Sequence, residues 1–152
     1  MSAKGVSVKR STVSKGTNQR VDAVMLLGVV FLVMALLQVI SFGSFKDWFA
    51  AVGFSSPATW AVVILLLEVI AGVGFLKIAL PPMAKKVSRI CAILASGFWF
   101  IENIRLVSDT TTQYTSSGFF GKYLSQTPGW WTVIEVTILL VWTIYALDAT
   151  KD

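Results

Sequence analysis

The residues of this chain that could do chemistry are Gln38, Glu68, Glu102, Arg105 and Glu135, each set in otherwise apolar sequence. Three carboxyl groups against one guanidinium cannot all ionise cheaply where the dielectric is low. Glu102 and Arg105 stand at i, i+3, on one face of a helix, so they are expected to form an ion pair. Glu68 is then the carboxyl expected to be protonated. Such an acid can take up and release a proton, or donate a hydrogen bond to a quinone or another carbonyl head group. Trp99 and Trp142, also deep in apolar sequence, could flank a flat ring in the same pocket or simply fill space. The competing reading is that all of these groups are interhelical glue, worth about 0.6–2 kcal/mol per hydrogen bond.

Other chemistries are excluded by composition. The chain has one cysteine, Cys91, and no histidine, so it has neither an internal disulfide nor an imidazole ligand for haem or zinc. A carboxylate metal site is not expected, because hard cations draw on several closely spaced oxygens and these residues are scattered over four segments. No nucleic-acid role is read from the net charge of +5, whose sign follows from where lysines and arginines fall around the apolar runs.

The elements that must position these groups are membrane spans. With 55% hydrophobic and 14% charged residues, the chain is too apolar for a soluble domain. Four runs of about 20 residues each match the hydrocarbon thickness. They lie at about 23–42, 58–80, 88–107 and 129–147. The run 58–80 carries Glu68 about 15 Å from its first residue by helical rise, near the bilayer midplane. An ionisable group at that depth costs at least roughly 2.5 kcal/mol and is a functional candidate by default.

One face of the first span holds Gly28, Phe31, Ala35, Gln38 and Phe42, a mixture of small residues and an amide suited to packing on other helices. Gly72 and Gly74 are expected to allow close helix approach. The loop after the first span, with Phe45, Trp48, Phe49, Val52 and Phe54, reads as a short helix lying in the interface, with Trp48 and Trp60 in an aromatic belt. Residues 1–20 hold five basic and no acidic residues and read as a disordered basic tail; 21–148 form the membrane domain and 149–152 a short tail.

Charge placement sets the expected orientation. The tail and the loop between the second and third spans carry nine of the thirteen Lys/Arg. Both termini are therefore expected in the cytoplasm. The expected fold is an all-α membrane protein, four transmembrane helices in an antiparallel bundle at the cell membrane. If the helix faces meet, Gln38, Glu68, Glu102, Arg105 and Glu135 surround one outward-opening pocket.

The chain also resembles a known group. Phe31-x-x-Met34 leading to Gln38, then Phe45, Trp48 and Phe49 before Leu67-Glu68-Val69-x-Ala71-Gly72, looks like the DoxX/MauE-like superfamily of small four-helix membrane proteins. The resemblance covers about 21–80 well and the last two helices in outline. The family typically has a lysine where this chain has Gln38, so a role requiring a cation there does not carry over. The resemblance implies an accessory or assembly subunit of a redox-linked membrane complex, with other subunits as partners and no catalytic activity of its own. It names no substrate. A quinone- or proton-linked redox component using the carboxylate pocket is the alternative, with quinone as the cofactor. A small solute or lipid transporter ranks last, since four helices without a repeat are few for alternating access.

Overall fold

The structure is a computed structural model that describes residues 11–76, 78–109, 116–123 and 126–150. The first half of the expected tail, Lys77, and residues 110–115, 124–125 and 151–152 lie outside the described residues. Five helices follow in order: α1 (Ser11–Ile40), α2 (Phe42–Ala51), α3 (Pro57–Phe75), α4 (Pro82–Ser108) and α5 (Trp130–Ala149). The described residues contain no strand. Four of the helices, counting α1 from Arg20, are long and apolar enough to cross a bilayer, the mark of a multi-pass membrane protein.

Each boundary has a local cause. α1 starts at Ser11, so residues 11–20, expected as part of a disordered tail, have helical backbone. Extending an existing helix avoids the cost of nucleating one, and the apolar span supplies the nucleus. α3 stops at Phe75, short of the expected Leu80. Gly72 and Gly74 weaken its last turn, and Pro81-Pro82 pushes the residues before each proline towards extended backbone. α4 then starts at Pro82, six positions before the expected Ser88, because proline suits a first helical turn. At the start of α5 the Thr132 hydroxyl accepts from the Gly129 N–H at 3.2 Å and donates to the Gly129 carbonyl at 2.7 Å.

The long helices close a ring in the order α1, α3, α4, α5, with α5 returning to α1. Within the first span, Leu27, Phe31, Met34, Ala35 and Gln38 are buried, whereas Leu26, Val29, Val33, Leu36 and Ile40 are exposed as a lipid-facing surface. α1 and α3 meet backbone to backbone at Gly28 and Gly72. A Cβ on Gly28 would come within 2.8 Å of the Gly72 carbonyl oxygen, and one on Gly72 within 2.9 Å of the Gly28 oxygen. Gly74 serves the other neighbour: a Cβ there would collide with the Ser88 side chain of α4. Ser88 Oγ fills that gap and donates to the Ala71 carbonyl at 3.3 Å.

α2 forms where a short interfacial helix is expected, but its apolar side is not spent on lipid. Phe45, Trp48 and Phe49 are buried in the core. Trp48 lies 5.5 Å from Trp99, and Phe49 lies 5.9 Å from Phe98, ring centroid to centroid. Trp48 therefore leaves the expected aromatic belt, because these α4 rings offer it a dry, ring-lined site and the Ser116 carbonyl accepts its Nε1–H at 3.0 Å. Trp60 remains two-fifths exposed, packed on Phe54 at 5.2 Å.

Candidate functional site

Glu68 sits at mid-helix in α3 and is fully buried. Its Oε1 accepts two hydrogen bonds, from Trp99 Nε1 of α4 at 2.6 Å and from Gln38 Nε2 of α1 at 3.1 Å. Gln38 and Trp99 are fully buried as well. The ring order explains the meeting, since α3 lies between α1 and α4 and the Gly28–Gly72 contact draws the first pair close. Three helices thus converge on one carboxyl oxygen.

A segment from between α4 and α5 covers this centre. Gln38 Nε2 also donates to the Phe119 carbonyl at 3.2 Å, and the Phe119 ring stands edge-on to Trp99 at 5.4 Å. The Lys122 N–H donates to Ser41 Oγ at 3.1 Å, and the Trp48 bond to Ser116 holds the other end. Gly118 and Gly121 take the left-handed backbone, at φ 75° and 64°, and let the segment lie against the Trp48 ring and Ser41 without a side chain between.

Among the described residues, Glu68 Oε2 and Gln38 Oε1 are buried acceptors without a hydrogen-bond partner, as is Oδ1 of Asn103 nearby on α4. Asn103, one turn beyond Trp99 on α4, is fully buried and donates through Nδ2 to the Trp99 carbonyl at 3.0 Å. Sequence reasoning passed over Asn103, although its i, i+4 spacing from Trp99 was a usable signal. Ser41 went unremarked as a site residue too, and its hydroxyl bridges the Leu37 carbonyl and the Lys122 amide.

The remaining candidates bond elsewhere. Glu102 and Arg105 form the i, i+3 ion pair at 2.8 Å. Arg105 also donates to the Val52 carbonyl at 3.0 Å and lies 5.9 Å from the Phe54 ring centroid, tying α4 to the chain just after α2. Glu135 is half-buried on α5 and accepts from Gln126 Nε2 at 3.3 Å, with its Oε2 buried and unpartnered. Trp142 packs half-buried on α5, a helix that lies across the ring from α3. The seven candidates therefore divide into a hub of Gln38, Glu68 and Trp99, an ion pair at Glu102 and Arg105, Glu135 with Gln126, and Trp142 apart.

Chemically the hub is a carboxyl group held by N–H dipoles, and no cation among the described residues bonds it. Among the described residues no three His, Cys, Asp or Glu side chains come together to hold a metal ion. No family model matches this chain, and no curated protein or solved structure does.

Proposed function

We propose that this chain is an accessory or assembly subunit of a redox-linked complex in the cell membrane, without catalytic activity of its own. The observation that carries the reading is that both donors to Glu68 come from within the chain, from Gln38 and Trp99, and that Phe119 covers them. Polar groups committed in this way fix helix positions and leave the function to surfaces. The redox link rests on the resemblance to DoxX/MauE-like proteins. The spans run as an antiparallel bundle with both termini in the cytoplasm, a reading supported by the basic residues before α1 and around the α3–α4 connection. Purification in a mild detergent is expected to recover a stoichiometric partner subunit. A clean, stable monomer from several mild detergents would overturn the proposal.

A quinone- or proton-linked role is the second reading, favoured by the unpartnered Glu68 Oε2 and Gln38 Oε1 beside Trp99. Under it, a Glu68→Gln variant that assembles normally loses membrane quinone reduction. Unchanged quinone reduction in that variant would dismiss this reading.

A further inference from the structure

The unpartnered atoms of the hub have complementary needs. Gln38 spends both amide hydrogens, one on Glu68 Oε1 and one on the Phe119 carbonyl. Turning the amide over would set its oxygen against those two acceptors, so its orientation is settled by its partners. Glu68 Oε1 thus receives two donors, and Glu68 Oε2 and Gln38 Oε1 receive none, in a site closed to water. An ionised carboxylate spreads its charge over both oxygens and would leave half of it without a donor, at a heavy desolvation cost. A carboxylic acid has one oxygen that accepts and one that donates, which is the pattern required.

Among the described residues no charged side chain bonds this carboxyl, and Lys122 of the covering segment is exposed. Arg105 of α4 is engaged by Glu102 and the Val52 carbonyl, Glu135 of α5 bonds Gln126, and Lys46 of α2 pairs with Asp47 at 3.5 Å. Arg20 and Asp22 of α1 lie about 24 Å or more from Gln38 along the helix.

We infer that Glu68 carries a proton on Oε2 and shares it with Gln38 Oε1, forming a reciprocal acid–amide pair that locks residues 116–123 onto the helices. The amide already donates to the acid through Nε2, so this second bond runs back between the same two groups and satisfies both orphaned oxygens. Removing the proton leaves two acceptors with no donor between them. Their repulsion then pushes Gln38 away from Glu68 and strains its bond to the Phe119 carbonyl. This inference concerns the chain's own hydrogen bonds and stands or falls independently of whether a partner subunit is found.

The test is infrared spectroscopy of the full-length protein in lipid at neutral pH, with carbon-13 glutamate to mark carboxyl bands, alongside amide hydrogen exchange. Wild type is expected to show a protonated-carboxyl band that is absent from Glu68→Gln and retained in Glu102→Gln and Glu135→Gln. In Gln38→Leu the band moves to higher frequency as its acceptor is lost, and exchange over 116–123 quickens roughly five- to tenfold, the equivalent of about one net hydrogen bond. Glu68→Gln, which puts an amide N–H where the acid O–H was, keeps that exchange slow. The absence of any protonated-carboxyl band, or a band insensitive to Gln38→Leu, overturns the inference. If Glu68→Gln does not accumulate, loss of the band in Glu102→Gln or Glu135→Gln does the same.

Discussion

Glu68 and Glu102 are the same residue in two surroundings. Glu102 meets a guanidinium from its own helix, and that arginine side chain is half exposed. Glu68 meets only dipoles, an indole N–H and an amide N–H, from two other helices, and is fully buried. The first arrangement is local and solvated on the arginine side, so Arg105 keeps solvent and the Val52 carbonyl when Glu102 is removed. The second is long-range and sealed, so removing one partner strands the rest. Burial and the origin of the partners, rather than formal charge, decide which carboxyl the fold depends on.

The contrast can be broken most directly at Glu68 itself. Glu68→Ala leaves the Trp99 N–H and a Gln38 hydrogen without an acceptor and opens a cavity where three helices meet. A loss of about 3 kcal/mol is expected, read from denaturant or thermal unfolding in micelles. A loss no larger than that from changing Arg105 would abolish the distinction. Next comes the crossing that lets Gln38 reach Glu68. Gly72→Ala would press a Cβ within 2.9 Å of the Gly28 oxygen, and about 2 kcal/mol should disappear in the same assay. Neutral behaviour there would mean that α1 and α3 are free to separate.

Trp99→Phe keeps most of the ring packing against Phe45, Trp48 and Phe119 and removes only the donor to Oε1. It should cost about 1 kcal/mol, in line with single hydrogen bonds between membrane helices. A near-zero cost would show that the indole bond contributes packing alone. The smallest effect belongs to the ion pair: Arg105→Gln should cost less than about 1 kcal/mol, because the arginine is half exposed and a glutamine amide can still donate to the buried Glu102. A larger loss would move the Arg105 bond to the Val52 carbonyl into the set of interactions that hold α4 to the end of α2.

How much of this could be read from residues alone depends on the distance over which each interaction acts. The Glu102–Arg105 pair was legible because three residues along a helix bring two side chains to one face. The buried face of α1 was legible for the same reason, from the spacing of Gly28, Phe31, Ala35 and Gln38. The role of α2 was not. Phe45, Trp48 and Phe49 would make the same amphipathic pattern on a bilayer surface as against Phe98 and Trp99, and only the position of α4 separates the two. The covering segment at Phe119 was hidden for a similar reason: its hydrogen bond is to a backbone carbonyl, which carries no residue signature.

The four bilayer-length helices and the depth of Glu68 within α3 follow from the sequence by itself, because span length and mean hydropathy are properties of a run of residues. The company Glu68 keeps does not. Gln38 and Trp99 stand 30 and 31 positions away along the chain. They reach it because α3 sits between α1 and α4, and because Gly28 and Gly72 let two backbones touch. Glu135 has the same side-chain chemistry, yet bonds Gln126 because its helix lies across the ring from α3. Helix order around the bundle is a tertiary property, and it selected three residues from the candidates that composition had made equal.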